Sequence, residues 1–222
     1  MMKVLIVQLF LLFFPWKLRR FFLVHFLKMK LGTNTKIGFS LVLAKKVVLE
    51  DNSQIGNLTF INAIDLLHLK EYSKIGRRNW ITGISATSKA YPHSQLRNCE
   101  FIIGKHTRIT DRHYVDCNGG IYIGDYSTIA GIGTQILSHG IDIIASQQKT
   151  NSVNIGSFCF VGTKCIFLMN SAIPDYCVVG AGSVVAKKFT DTYTLYAGVP
   201  AKVTKELPRD ANYFTRSHGN VE

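Results

Sequence analysis

Large apolar residues recur at every sixth position along much of the chain. The clearest run lies near the carboxy terminus and comprises Ile155, Val161, Phe167, Ile173, Val179 and Val185. A small residue follows four positions after each of the first five, namely Cys159, Cys165, Ser171, Cys177 and Ser183. The same step appears earlier at Ile37, Leu43, Leu49, Ile55, Ile61 and Leu67, and after longer steps at Ile75, Ile81, Ile103, Ile109, Val115, Ile123 and Ile129. The pattern therefore indicates a repeat protein.

A period of six does not fit an α-helix, whose apolar positions recur every 3.6 residues, but it fits a short strand followed by a turn. Three such units make one triangular coil of about 18 residues, and coils stack at about 4.8 Å. About twenty units then predict six or seven coils in a prism roughly 30 Å long. The small position faces inward in such a prism, which makes Cys159, Cys165 and Cys177 packing residues and not catalytic thiols.

Two segments interrupt the repeat, at 87–100 and at 140–154. Insertions in a repeat protein emerge as loops on one face, which is often the binding face. The second segment is polar and follows His139 directly, so we expect a lid over a site. The alternative is a solvated linker.

The pattern divides the chain into a basic, amphipathic helical segment (1–32), the repeat body (33–189) and a short tail (190–222). The net charge is +12, and the first thirty residues contribute six Lys or Arg and no acid. We expect residues 4–30 to cap the open first coil, to contact an anionic membrane surface peripherally, or both. Val4–Phe14 is shorter than the roughly 20 residues that cross a bilayer, and no small-residue cleavage site follows it.

Composition narrows the partners and the compartment. The positive net charge suggests a nucleic acid as a partner. The sequence contains no helix-turn-helix, zinc-finger or RNA-binding signature, so we do not expect the protein to bind nucleic acid. The five cysteines are odd in number and form no CxxC pair. An odd number of unpaired cysteines indicates a reducing compartment, because disulfides are rare there. We therefore expect a cytoplasmic protein, either free or at the inner face of the membrane.

Three stretches carry a resemblance to the hexapeptide-repeat acyltransferases: Ile155–Gly162, Val179–Val185 and Ala197–Val203, the last reading Ala-Gly-Val-Pro-Ala-Lys-Val. Thr110–Cys117 and Ala130–Gly140 resemble the branch of surface-polysaccharide O-acetyltransferases. The resemblance implies an all-β, left-handed parallel β-helix that acts as a homotrimer on acetyl-CoA. The left hand rests on the resemblance alone, since parallel crossovers are generally right-handed.

Acetyl transfer to a hydroxyl needs a base, and His139 is the candidate because it ends a repeat run beside the polar insertion. The resemblance implies a catalytic histidine at the same position. Many relatives carry an acid directly after it, whereas Gly140 follows here and Asp142 comes three positions on. Either Asp142 or a backbone carbonyl is therefore expected to orient the imidazole.

A second polar cluster consists of Arg112, His113, Asp116 and Asn118. If Val115 stacks beneath Gln135, the cluster lies near His139 and suits the binding of sugar hydroxyls. The alternative is ordinary corner residues. Two histidines near one site also suggest a metal site. However, His106, His113 and His139 lack the spacing found in the zinc enzymes that share the β-helix and bind zinc through three histidines. We expect no metal.

The donor site is predicted by resemblance alone. Thr163, Ala181 and Ala186 would line the pantetheine groove, beside Gly162, with Phe160 where relatives often carry tryptophan. Lys187 and Lys205 match basic contacts to the coenzyme A phosphates. The alternative for each lysine is a solvated side chain.

Together these features predict direct acetyl transfer from acetyl-CoA to a sugar hydroxyl of a surface polysaccharide or its precursor. His139 would be the base and a backbone N–H would hold the oxyanion. One alternative is N-acetylation of an amino sugar on a nucleotide, and another is a non-catalytic β-helix scaffold.

Overall fold

The computed structural model describes residues 2–94 and 97–219. Seven coils of three short strands stack into a three-sided prism, as the period of six predicts. The strands of coils 1 to 3 are β1 (Lys30–Leu31), β2 (Lys36–Ile37), β3 (Leu41–Leu43), β4 (Lys46–Leu49), β5 (Gln54–Ile55), β6 (Phe60–Asn62), β7 (Leu66–Leu69), β8 (Lys74–Ile75) and β9 (Trp80–Thr82). Coils 4 and 5 contain β10 (Glu100–Ile103), β11 (Arg108–Ile109), β12 (Tyr114–Asp116), β13 (Ile121–Ile123), β14 (Thr128–Ile129) and β15 (Gln135–Leu137). After a hairpin of β16 (His139–Asp142) and β17 (Gln147–Thr150), coils 6 and 7 contain β18 (Val153–Ile155), β19 (Phe160–Val161), β20 (Ile166–Phe167), β21 (Ala172–Ile173), β22 (Val178–Val179) and β23 (Val184–Val185).

The first strands of the coils form sheet A, the second strands sheet B and the third strands sheet C, each of them parallel and in register, as in a left-handed β-helix. The three edges between these faces are called the A/B, B/C and C/A corners. Sheet B continues into the segment predicted as a tail, through β24 (Thr194–Gly198) and the antiparallel β25 (Ala201–Glu206), followed by the short helix α3 (Asn212–Thr215).

The interior is a column of aliphatic residues, because the inward side chain of each strand lies on its counterpart one coil away. The six residues of the carboxy-terminal run are all buried. The prediction of interior cysteines is confirmed, since Cys159, Cys165 and Cys177 are fully buried and all five cysteines are free. Burial raises the pKa of the Cys99 and Cys177 thiols to about 11.

Two short helices cover the open end of the first coil, within the segment predicted to be helical. They are α1 (Met2–Leu11) and α2 (Trp16–His25), separated at Pro15. The Gln8 amide bonds to both backbone groups of Val42. The buried Arg19 guanidinium donates to the carbonyls of Ile37, Gly38 and Ser40. Capping of the first coil is thus confirmed, because these side chains satisfy edge groups that have no preceding coil to pair with. Among the described residues, no helix is long and apolar enough to span a bilayer.

The A/B corner carries an aromatic ladder of six stacked rings, Tyr72, His106, Tyr126, Phe158, Tyr176 and Tyr193. Neighbouring ring centroids are 4.7 to 5.2 Å apart, and each ladder residue has a φ between 52° and 61°. The carboxy-terminal segment runs back along this corner. Phe214 packs edge-on against Tyr176 and Tyr193, and Arg216 bonds to the Tyr126 carbonyl.

Both interruptions of the repeat leave the prism at the C/A corner. The first connects coil 3 to coil 4, and the second connects coil 5 to coil 6. The second was predicted as a polar loop, but it is an antiparallel hairpin in which His139 pairs with Thr150 and Asp142 with Gln147. Thr150 N–H donates to Ser94 Oγ at 3.1 Å, so the two insertions touch.

Candidate active site

His139 lies at the C/A corner of coil 5, at the point where sheet C ends and the hairpin begins. Its side chain is 40% exposed, and its Nδ1 contacts Asp116 Oδ2. Asp116 ends the sheet C strand one coil below and pairs with Leu137, two residues before His139. The Asp116 side chain is only 1% exposed, so this contact is sealed from water on the carboxylate side.

Asn118 fixes the orientation of the Asp116 carboxylate. Its backbone N–H and its side-chain Nδ2 both donate to Asp116 Oδ1, at 2.9 and 2.6 Å. Its own Oδ1 accepts from the Ile84 N–H at 2.7 Å. Oδ1 of Asp116 therefore accepts from two donors, and Oδ2 of Asp116 is the oxygen that faces His139.

Ser138 holds the backbone on both sides of the contact. Its hydroxyl donates to the Asp116 carbonyl at 2.6 Å and accepts from the Gly119 N–H at 2.8 Å. The strand that carries His139 is thereby tied to the coil below. This limits movement of the imidazole relative to the carboxylate.

The arrangement determines which imidazole nitrogen carries the proton. A carboxylate accepts only, so Nδ1 carries the hydrogen and Nε2 has a free lone pair. Within residues 2–94 and 97–219, no hydrogen bond to Nε2 of His139 is present. An imidazole held in this tautomer, half-exposed and backed by a buried carboxylate, can accept a proton from a bound hydroxyl or amine.

Asp142 does not orient His139, and neither does a backbone carbonyl, so both sequence-based alternatives are wrong. Asp142 Oδ2 accepts from Lys149 Nζ at 2.5 Å, across the hairpin, and Oδ1 accepts from the Ala145 N–H at 3.1 Å. Lys149 lowers the pKa of the Asp142 carboxyl. Asp142 therefore stabilises the hairpin.

The prediction that His113 binds an acceptor is also wrong. His113 is 2% exposed and lies at the B/C corner, at the other end of β12 from Asp116. Its Nδ1 accepts from the Thr134 N–H at 3.1 Å, and its Nε2 bonds to Thr110 Oγ1 at 3.0 Å. Burial lowers the pKa of this imidazole to about 4. His113 is a neutral, fully bonded structural residue.

The expected cluster beside His139 is therefore divided between two corners. Arg112 is exposed at the B/C corner, whereas Asp116 and Asn118 lie at the C/A corner. The predicted stacking of Val115 beneath Gln135 is off by one position, because Val115 pairs with Ile136 and Tyr114 with Gln135.

The first insertion contributes a wall that the sequence did not reveal. Tyr91 is buried, and its ring lies edge-on to the His139 ring with 6.2 Å between centroids. The Arg97 guanidinium lies 4.6 Å from the Tyr91 ring and donates to the carbonyls of Ile84, Ser85 and Asn118. No motif marks these residues, because the insertion has a conformation of its own and lacks the repeat.

A polar cleft of about 770 Å³ lies between the two insertions, on the sheet A side of the hairpin. Arg97, Asn98, Tyr122 and Asn151 are among its lining residues. His139 does not line it, although the cross-strand partner Thr150 does. The cleft is therefore lined by the hairpin strand opposite His139 and not by the imidazole itself.

The residues predicted for the donor lie on two corners of the single chain. Ala186 and Lys187 follow β23 at the C/A corner, two coils from His139, and Lys187 Nζ is 5.2 Å from the Phe189 ring. The other five lie on sheet B or at the B/C corner: Phe160, Gly162, Thr163, Ala181 and Lys205.

Close packing explains the small residues at the B/C corner. A Cβ on Gly162 would lie 2.7 Å from the Ala181 nitrogen, so only glycine fits there. Thr163 donates to the Ile132 carbonyl at 2.8 Å, and Phe160 packs edge-on against Tyr213.

The three histidines considered for a metal lie on three different corners. His106 belongs to the aromatic ladder at A/B, His113 lies at B/C and His139 at C/A. In the part of the chain that the structure describes, no group of three or more His, Cys, Asp or Glu side chains could hold a metal ion.

Neither a protein-family model nor a curated protein sequence matches the chain. Solved structures do match. A hexapeptide-repeat acetyltransferase of Vibrio cholerae, in complex with acetyl coenzyme A, is 23% identical over 64% of this chain and 71% of its own, with a TM-score of 0.52. The chain has the hexapeptide-repeat acetyltransferase fold. The same prism occurs in the polysialic acid O-acetyltransferase OatWY, which is 21% identical over 80% of this chain and 88% of its own, with a TM-score of 0.52.

The same fold also accommodates transfer to nitrogen. A point mutant of the N-acyltransferase AntD of Bacillus cereus, in complex with dTDP-4-amino-4,6-dideoxyglucose and coenzyme A, is 17% identical over 87% of this chain and 89% of its own, with a TM-score of 0.50. Identities at this level establish the hexapeptide-repeat acetyltransferase fold and leave the reaction to be argued from the site.

Proposed function

We propose that this chain is an acyl-CoA-dependent acetyltransferase that acetylates a hydroxyl of a surface polysaccharide or its precursor. The observation that carries the proposal is the Asp116–His139 pair, whose Nε2 is free at a corner flanked by two insertions. The fold supports the donor, because a Vibrio cholerae structure with this fold holds acetyl coenzyme A. OatWY, a polysialic acid O-acetyltransferase, supports the acceptor class.

In the proposed mechanism His139 Nε2 takes the proton of the acceptor hydroxyl as its oxygen bonds to the thioester carbonyl carbon. Asp116 stabilises the imidazolium that forms, and a backbone N–H stabilises the oxyanion. The carbon–sulfur bond then breaks, and His139 returns the proton to the leaving thiolate. A general base of this kind contributes about 10²–10⁴-fold. The acetyl group passes directly to the acceptor, since all five cysteines are buried and none can serve as a nucleophile.

The proposal includes a homotrimer with sites between subunits. Its support is the division of the expected donor residues between two corners of one chain. A groove between two prisms would bring Thr163 and Ala181 of one subunit opposite His139, Ala186 and Lys187 of the next. The proposal also locates the reaction in the cytoplasm, because free, buried cysteines suit a reducing compartment.

The test is thiol release from acetyl-CoA with a panel of polysaccharides and nucleotide-linked amino sugars. The wild-type protein should release thiol only when a polysaccharide is added, and His139→Ala should lose at least 10²-fold. His68→Gln is the matched control, since His68 lies on sheet A in coil 3, bonds to Glu50 and is away from the C/A corner of coil 5. Absence of acceptor-dependent release from a folded protein would favour the scaffold alternative.

N-acylation of an amino sugar is the second candidate, supported by the ligands in the AntD structure. The two reactions differ in the product bond. An acetyl ester is cleaved by mild alkali, whereas an acetamide survives it. An alkali-stable product from an amino sugar would therefore replace the O-acetylation proposal.

A further inference from the structure

The outer side of the two amino-terminal helices is a broad apolar surface, which we call the cap face. It consists of exposed aliphatic and aromatic side chains, namely Ile6, Val7, Leu9, Phe10, Phe13, Leu18, Phe21 and Phe26. Phe13 is 83% exposed and Phe10 is 64% exposed. Contiguous exposed groups of this size and number normally have a partner.

The inner side of the helices fixes the direction of the cap face. Gln8 and Arg19 bond to the backbone of coil 1, and Arg20 bonds to the carbonyls of Leu31 and Gly32. These are groups at the open end of the prism. The cap face therefore looks away from the prism along its long axis.

The charge around the cap face is of one sign. Lys3, Lys17, Lys28 and Lys30 are exposed, whereas residues 1–30 contain no Asp or Glu. Arg19 and Arg20 are engaged with carbonyls of the first coil, and Lys30 lies in β1 beside Glu50, Asp51 and Glu71. Lys3, Lys17 and Lys28 therefore supply the outward charge of the cap. A surface that combines exposed aromatic rings with unopposed lysines complements a bilayer with anionic headgroups.

We propose that the cap face docks on an anionic membrane surface and that the prism stands on its end there. Each helix has ten residues and is about 15 Å long, half of the roughly 30 Å hydrocarbon core. The helices would therefore lie in the interface with their outward rings in the acyl boundary.

The orientation sets the distance from the lipid to the imidazole. His139 belongs to coil 5, four coils above coil 1, which is about 19 Å at the usual strand spacing. The cap adds about 10 Å, the diameter of a helix. Given the proposed function, which this step requires, the acceptor hydroxyl would lie about 30 Å from the bilayer. A lipid-linked acceptor would then carry several sugars between the lipid and the acetylated residue.

Vesicle binding tests the docking separately from acetyl transfer. The wild-type protein should bind vesicles of phosphatidylcholine and phosphatidylglycerol at least tenfold more strongly than phosphatidylcholine alone. Phe10→Ser with Phe13→Ser should lower that binding at least tenfold. The matched control is Ile143→Ser with Ile144→Ser, which removes two apolar side chains that are together even more exposed, at the hairpin tip, and should bind like wild type.

The two tryptophans report the orientation. Trp16 lies in the cap, and Trp80 is exposed on sheet C in coil 3. Trp16 packs against the core on the inner side of the cap, and Trp80 lies two coils farther from the lipid than coil 1. With brominated lipids, the Trp80→Phe variant, which retains Trp16, should therefore be quenched more strongly than the Trp16→Phe variant, which retains Trp80. Quenching of Trp80 equal to that of Trp16 would mean side-on binding and would overturn the upright orientation.

Two further outcomes would overturn the docking itself. Equal vesicle binding by wild type and the Phe10/Phe13 variant would remove the cap face from membrane contact. A change in particle size of that variant without lipid would instead assign the cap face to contact between copies of the chain. Acetyl transfer to a water-soluble acceptor should persist in the Phe10/Phe13 variant, so failure of the docking leaves the proposed function testable.

Discussion

The substitution Asp116→Asn tests the role of the His139 tautomer more sharply than removal of His139 does. Oδ1 of Asp116 accepts two N–H groups from Asn118, at 2.9 and 2.6 Å. An asparagine at position 116 can only place its carbonyl oxygen there, and its NH₂ group then faces His139 Nδ1. Nδ1 must accept, so the proton moves to Nε2 and the base is lost.

The expected loss follows from what a general base contributes. That contribution is about 10²–10⁴-fold, and we expect kcat of Asp116→Asn to fall about 10²–10³-fold, or about 3–4 kcal/mol at 1.36 kcal/mol per tenfold change. The KM for acetyl-CoA should change little, since the substitution adds no bulk. Steady-state thiol release at saturating acceptor measures both quantities.

Two companion variants make the result decisive. Asp142→Asn makes the same chemical change in the hairpin, where the carboxylate pairs with Lys149, and should keep kcat within about threefold. Asp116→Ala removes the carboxylate without forcing a tautomer, so it should be faster than Asp116→Asn although it leaves the Asn118 donors unpaired. If Asp116→Asn keeps more than a third of the wild-type kcat, or if Asp116→Ala is the slower of the two, the tautomer argument is refuted.

Three other outcomes follow from the structure. The folded pKa of His113, about 4, lies below the unfolded value of about 6.5, so the unfolded chain binds more protons between these values. Stability is then full above pH 6.5 and falls by about 2 kcal/mol from pH 7 to pH 5, a loss that urea titrations should detect and that His113→Gln should largely abolish. Arg19→Met leaves three carbonyl groups without a hydrogen-bond donor and should lower the free energy of unfolding by about 2–4 kcal/mol. Lys17 is exposed, so Lys17→Met should lower it by under about 0.5 kcal/mol in the same titration. Iodoacetamide should leave the native activity unchanged because the thiols are buried with raised pKa values, and rapid inactivation would contradict that arrangement.

The coils were predictable because each one repeats the same requirement. An inward side chain every sixth residue must fill the same space in each coil. Interior positions such as Ile155 and Val161 can therefore be identified from the sequence. His139 was recognisable because it stands where that repeat stops.

The sequence did not show that Asp116 is the hydrogen-bond partner of His139. The two residues are 23 positions apart, and their contact can be predicted only if the register between coils 4 and 5 is known. A shift of one residue in that register was enough to misplace the cluster. His113 was misjudged for a related reason. Its hydrogen-bond partners Thr110 and Thr134 seal it at a corner, and nothing in the local sequence shows that the ring turns inward.

The carboxy-terminal segment has a consequence for how the stack comes apart. A column whose members touch only adjacent members can fray from an open end, one layer at a time. Here Phe214 contacts the layer of Tyr176, Tyr213 bonds to the Cys159 carbonyl, and Arg216 reaches the carbonyl of Tyr126, so one strip fastens three successive layers. Amide protons in those layers should therefore exchange with solvent as one cooperative unit, whereas the layers near Asn34 and Asn52 lie beyond the reach of the strip and should exchange as a separate unit with the amino-terminal helices that bond to coil 1.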